Sequence, residues 1–334
     1  MSLSHLLSYM VLLGLSCAAM ARAGDAFFSK DGQSVTFVSG EHDESVLNLN
    51  LTTRNIETVS LGTAIKGQSI TSLASGEDGE LLFLTEKGAW VNDANGTRKL
   101  CGLGSAAHGA DLSVAPATAA GVADWLFIAG DRAEKDRSAA STLHYRKPGE
   151  KEFRPVFCRR VNSVWAGAFT SDGRFFFAGE SDLWEGAVDP DPVGGGVATL
   201  NGVRIAPLAL KNTDCTNGGN LWVAQVMPAG SSIYVRLRGT HMGILLRVPV
   251  NPVPALDDKS GASGSLIGHY AYLAKALSAV QIIEPEGKGI TASAAAETNG
   301  RELLFYRSGL GGVRYGLFIW DKASGKSEQV AMEP

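Results

Sequence analysis

Charge is scarce in this chain and balanced where it occurs. Only 19% of its 334 residues are charged and the formal net charge is −4. No basic stripe with interleaved aromatics appears, so nothing favours a phosphate backbone and nucleic acid is not expected as a partner. Cysteine is equally sparse, with 4 residues and neither a Cys-x-x-Cys pair nor a Cys/His spacing suited to zinc. The histidines (His5, His42, His108, His144, His241 and His269) are scattered, with no pair at ligand spacing, so no metal and no other cofactor is expected. The nucleophile-elbow pattern Gly-x-Ser-x-Gly is missing. Asp189-Pro190-Asp191-Pro192 supplies two carboxylates but no further oxygen ligand at calcium-loop spacing, and reads as a solvated turn. These gaps leave no catalytic motif. What is plentiful is glycine, 40 residues beside a hydrophobic share of 45%, which suits a sheet protein with many turns.

The N-terminal stretch Leu6 to Met20 is apolar and is followed by Ala21-Arg22-Ala23, a small-x-small cleavage pattern. It is too short to span a bilayer and stay there. Residues 1–23 are therefore expected to be a signal peptide, so that the protein is exported, to a periplasm or beyond the cell. The alternative is a lipid anchor at Cys17, but Gly14-Leu15-Ser16-Cys17 lacks the usual leucine three residues before the cysteine. Removing the signal leaves Cys101, Cys158 and Cys215. Cys158 with Cys215 is the better-placed pair, and the favoured reading is that none of the three bonds.

The remainder, 24–334, repeats itself. Gly32 with Phe37, Gly79 with Phe83, Gly121 with Phe127, Gly173 with Phe177, Gly230 with Tyr234 and Gly300 with Phe305 each place a turn glycine shortly before an aromatic in an apolar run. A long, imperfect period is the mark of a repeat architecture. Around each pair, short runs alternate apolar and polar, as in Val46-Leu47-Asn48-Leu49-Asn50-Leu51, and such alternation marks half-buried strands. Asp31-Gly32 is expected to close the first hairpin through a type I′ turn. The pattern describes a ring of small four-stranded antiparallel sheets.

Two segments carry a family resemblance. Phe28-Ser29-Lys30-Asp31-Gly32-Gln33-Ser34-Val35-Thr36-Phe37-Val38 and Leu317-Phe318-Ile319-Trp320-Asp321-Lys322-Ala323-Ser324-Gly325-Lys326 resemble the TolB-like, WD-repeat-like propeller repeat. That repeat has a Ser/Pro-Asp-Gly turn, an apolar strand ending in an aromatic, and an aromatic-Asp-x-x-Gly strand and turn. The resemblance implies an all-β, six-bladed propeller of four-stranded blades as one domain over 24–334. It does not imply one function, because this fold carries many.

In such a ring, the turns within each outer and inner hairpin lie on one face, and the middle loops and blade crossings on the other. The first set reads as short, for instance Asp78-Gly79, Asn95-Gly96 and Ser324-Gly325; the second reads as longer and charged, at Gly40 to Ser45, Asp131 to Ser141 and Ser308 to Gly316. The second face is the candidate binding surface. Gln68, Asp111, Asn162, Asn220 and Lys288 stand where the innermost strands begin, and form an expected polar rim to the channel. Tyr270, Leu273, Leu277 and Val280 recur at helical spacing within Ile267 to Ile283, so a short amphipathic helix is expected before the last blade. The reading is an exported, non-catalytic scaffold that presents its loop-rich face to a protein, peptide or envelope component. The alternative is a channel-centred, metal-dependent hydrolase, lactonase or lyase, for which no glutamate at the rim completes the ligand set.

Overall fold

The computed structural model describes residues 26–29, 31–39, 45–76, 79–104, 108–114, 126–131, 142–146, 149–158, 164–170, 174–179, 182–189, 198–206, 222–229, 232–238, 243–249, 281–283, 290–298, 301–308, 316–321, 324 and 326–331. Every regular element among them is a strand, and none is a helix long and apolar enough to cross a membrane.

The strands run in antiparallel meanders. The first is β1 (Ala26–Phe28), β2 (Ser34–Ser39), β3 (Ser45–Asn50) and β4 (Ile56–Thr58). The next is β5 (Ile70–Ser75), β6 (Leu81–Thr85), β7 (Gly88–Asp93) and β8 (Gly96–Cys101). Then come β9 (His108–Val114), β10 (Leu126–Asp131), β11 (Thr142–Arg146) and β12 (Arg154–Cys158). They are followed by β13 (Val164–Phe169), β14 (Phe175–Gly179), β15 (Asp182–Asp189) and β16 (Ala198–Ala206). The chain continues through β17 (Trp222–Ala229), β18 (Ser232–Arg238), β19 (Gly243–Pro249) and β20 (Gln281–Ile283). It ends in β21 (Ile290–Thr298), β22 (Arg301–Ser308), β23 (Gly316–Asp321) and β24 (Lys326–Ala331).

The turn-and-aromatic period maps directly onto this order. Phe37, Phe83, Phe127, Phe177, Tyr234 and Phe305 all fall on the second strand of their meander. Where the side chain is described, it is buried: Phe37 is 4% exposed, and Phe83, Phe177 and Tyr234 are 0%. Two of these rings stack on a tryptophan of the third strand, Phe83 on Trp90 at 6.4 Å and Phe177 on Trp184 at 6.2 Å between centroids. Both pairs are directly opposed in register, which is where cross-strand side chains approach most closely.

The first strands of successive meanders lie side by side. β1 neighbours β5, β5 neighbours β9, β9 neighbours β13, β13 neighbours β17, β17 neighbours β21, and β21 returns to β1. The circuit of innermost strands is therefore closed. Core forms between the meanders: Val38 and Val46 of the first pack with Leu61 and Ile65 of the crossing and with Ile70, Leu73, Leu81, Phe83 and Trp90 of the second. A further cluster joins Leu82, Leu84, Ala89, Val91 and Cys101 to Leu103, Leu112 and Phe153. Single meanders expose both faces, so their apolar residues find cover only in neighbours.

Several expectations change. Asp31-Gly32 does not form a type I′ turn, because of the two only Gly32 has positive φ, at 67°. Asp31 instead accepts hydrogen bonds from the Ser29 hydroxyl at 2.6 Å and the Gln33 N–H at 3.0 Å. These bonds hold its carboxyl below the usual value, the Ser29 bond contributing most. The segment expected to be a helix ends as a strand: Gln281–Ile283 pairs with Leu245, Leu246 and Arg247 as β20, and Ile267 to Val280 lies outside the described residues. The long segment 250–280 therefore interrupts a sheet between β19 and β20 instead of separating two sheets. Nor is one set of turns uniformly short: 115–125 joins β9 to β10, and 190–197 joins β15 to β16. Turn dipeptides mark only tight connections, so insertions elsewhere on that face carried no signal.

Two meanders share one sheet. β12 pairs in parallel with β16, Val156 opposite Ala198 and Cys158 opposite Leu200, which makes an eight-stranded sheet. Cys101 and Cys158 end β8 and β12, the last strands of successive meanders. Cys101 is a buried free thiol whose pKa is pushed up to about 11, chiefly by desolvation. Cys215 lies outside the described residues.

Candidate functional site

The candidate site is the mouth of the ring where each crossing delivers the chain to an innermost strand. Five of these strands carry a β-bulge near their start. The register skips Thr71 in β5, Ala110 in β9, Trp165 in β13, Ala224 in β17 and Ser293 in β21. β1 alone pairs without a shift among its described residues. A bulge bends its strand, sharpens the local twist and takes main-chain groups out of the ladder. Repeated around the circuit, bulges give one mouth an irregular main-chain lining, and the other end of the same strands stays regular.

At this mouth an inner-strand N–H already uses a neighbour's side chain. The N–H of Leu112 in β9 donates to the Ser72 hydroxyl of β5 at 2.8 Å, and Ser72 is 0% exposed. Ser72 follows the bulge at Thr71, and the bond ties two sheets together where the ladder is interrupted.

Of the expected rim residues, Gln68 is described most fully. It stands two residues before β5, is 3% exposed, and spends its amide on the scaffold. Its Nε2 donates to the Ala64 carbonyl at 3.1 Å, and its Oε1 accepts from the Thr85 hydroxyl at 2.8 Å. The same hydroxyl accepts from the Trp90 indole at 3.0 Å and the Lys87 N–H at 3.2 Å. This chain of bonds pins the 59–69 crossing onto the second meander. Leaving either buried partner unpaired costs about 1–3 kcal/mol.

Asp111 lies inside β9, paired with Ala129 and next to the bulge at Ala110. Asn162, Asn220 and Lys288 lie outside the described residues, and the strands after them begin at Val164, Trp222 and Ile290. The bulges themselves left no sequence signal, since Thr71, Ala110, Trp165, Ala224 and Ser293 share no side-chain chemistry. Among the described residues no three His, Cys, Asp or Glu side chains gather closely enough to hold a metal ion.

No protein-family model matches the chain, and no curated protein matches it. Solved structures do. The nidogen/laminin complex aligns with 90% of this chain and 92% of that chain at 11% identity and a TM-score of 0.53. The calcium-binding protein regucalcin from Agrobacterium tumefaciens aligns with 84% of this chain and 81% of that chain at 13% identity and a TM-score of 0.51. The extracellular domain of the putative one component system BT4673 from B. thetaiotaomicron has a TM-score of 0.46 and 11% identity over 93% of this chain, which spans 33% of that one. The first two likenesses show the fold, a β-propeller built of antiparallel sheets.

Proposed function

We propose that the chain is an exported, non-catalytic binding propeller of the TolB-like, WD-repeat-like kind, with six four-stranded blades. It presents the crossing-side mouth of its channel to a protein or peptide. The observation that carries this reading is the run of bulges on β5, β9, β13, β17 and β21 at that mouth. Bulges collect where a sheet re-aims its groups toward a partner or ligand, and an extended peptide is a ligand that main-chain groups can recognise. The strands joined by 132–141, 207–221 and 309–315 end and begin on this same side, and connections held by a rigid scaffold are where function collects.

A second reading is kept because of one likeness. Regucalcin is a calcium-binding protein of this fold, so a channel-centred, metal-dependent hydrolase, lactonase or lyase would use the same mouth, with Asp111, Asn162 and Asn220 as its oxygen donors. The two readings separate in one experiment. A photo-reactive residue is placed at Thr63 or Lys66, which are exposed on the crossing side, and at Asn95, which is exposed on the opposite side. After irradiation in an envelope extract, the binding reading expects a discrete adduct from the first two positions and none from Asn95, with metal far below one equivalent in the purified protein. Equal adducts from all three, or stoichiometric calcium or zinc, would overturn it, the metal result in favour of the enzyme.

A further inference from the structure

Neighbouring sheets in this ring are joined by the chain itself at every seam except the one between β21 and β1. That seam closes only by contact, since β1–β4 and β21–β24 form separate sheets and share no strand among the described residues. Other seams are reinforced as well. Between the second and third meanders, the Gly102 N–H donates to the Lys151 carbonyl at 2.7 Å and the Phe153 N–H donates to the Gly102 carbonyl at 3.3 Å. Between the third and fourth, β12 and β16 pair through their main chains.

Across the closing seam the described polar contact is Arg54 Nη2 to Glu328 Oε1 at 2.8 Å, between residues 274 positions apart. Their side chains are 40% and 68% exposed. A pair this wet is weak and screened by salt. Arg54 nevertheless sits in an unusual backbone state. Its φ is 65°, and it is the one non-glycine residue with positive φ among the described residues. Its N–H donates to the Asn50 carbonyl at 2.9 Å, which closes the turn after β3. An arginine held in the left-handed region is strained, and an observed outlier of this kind points to a function for its side chain.

We propose that the seam between β21 and β1 is the joint at which the ring opens, and that Arg54 and Glu328 form its latch. The turn holds Arg54 in the left-handed conformation that lets its guanidinium reach the last strand. Opening parts the inner edges of β1 and β21 and gives sideways access to the channel, and leaves the covalently bridged seams closed. This inference does not depend on what the ring binds.

The test is hydrogen–deuterium exchange on the whole protein, read by peptide. Under native conditions, peptides containing β1 and β21 are expected to exchange at least roughly tenfold faster than those containing β5 and β13, because local openings precede global unfolding. Glu328→Lys is expected to raise the β1 and β21 rates a further roughly threefold to fivefold, in line with the usual strength of an exposed pair. Arg54→Glu combined with Glu328→Lys restores the original rates. Arg54→Gly separates latch from fold: it relieves the left-handed strain, so global stability stays the same or rises, yet the seam opens faster. Protection of β1 and β21 equal to that of β5 and β13 overturns the joint. Unchanged seam exchange in Glu328→Lys and Arg54→Gly overturns the latch.

Discussion

Replacing Phe83 with alanine is expected to lower stability by about 3–5 kcal/mol, the usual cost of emptying a buried phenylalanine site. Phe83 is 0% exposed, stacks on Trp90 with an interplanar angle of 9°, and sits in the cluster shared by the first two meanders with Val38, Val46, Leu61 and Ile65. The cavity would open at a seam whose walls belong to two sheets, neither of which can collapse without losing its own register. Phe83→Leu keeps most of the apolar volume and is expected to cost about 1.5 kcal/mol or less. Urea unfolding of both variants is the measurement. A loss below about 1 kcal/mol for alanine, against the range above, would mean that the repeated aromatic does not fill the space between sheets.

Gly88→Ala is expected to be nearly as damaging, for a steric reason. Gly88 opens β7 at a φ of 144°, and a Cβ there would run into the main-chain carbonyl of Cys101 and lie 2.8 Å from the Cε of Lys99. The lysine can swing away, but the carbonyl belongs to the outermost strand of the same sheet and cannot. A loss of about 3 kcal/mol is expected, at the upper end for a strained backbone position. Gly79→Ala supplies the control, since Gly79 also has positive φ, at 84°, but has nothing within 4 Å of the added carbon. It is expected to cost only about 1 kcal/mol, the conformational part alone. Equal losses at the two glycines would show that crowding against Cys101 contributes nothing.

The parts of this fold that were legible in the sequence are those written in side-chain type. Each landmark aromatic, from Phe37 to Phe305, marked an apolar run after a turn and lies on the second strand of its meander, because a ring of that size needs burial between sheets and so recurs wherever the sheets do. Strand period was equally readable in Val46 to Leu51, whose first five residues fall within β3. Features written only in the main chain were not readable. The bulges fall on residues as different as Trp165 and Ala224, since a bulge asks for backbone irregularity and not for a particular side chain. The parallel pairing of β12 with β16 joins distant segments with no shared pattern. β20 was missed because only three residues, Gln281–Ile283, follow a long insertion.

Gln68 shows why the site was harder than the fold. A polar residue just before an innermost strand looks like a rim residue in sequence, and Gln68 stands two residues before β5. Its amide is nonetheless bound to Ala64 and Thr85, so it helps to build the mouth instead of lining it. What five of the innermost strands share at this mouth is a bulge, a feature of the main chain and not of any side-chain type.

A ring with two faces, a mouth and a closing seam requires that the last sheet come back against the first. Nitroxide labels at the exposed Thr53 and Ser324, which leave the Arg54–Glu328 pair in place, measure this by pulsed dipolar spectroscopy, because Arg54 and Glu328 meet at 2.8 Å across 274 positions of sequence. A single narrow distance at the short limit of the method is the expected result, and a broad distribution of long distances would contradict the closed ring.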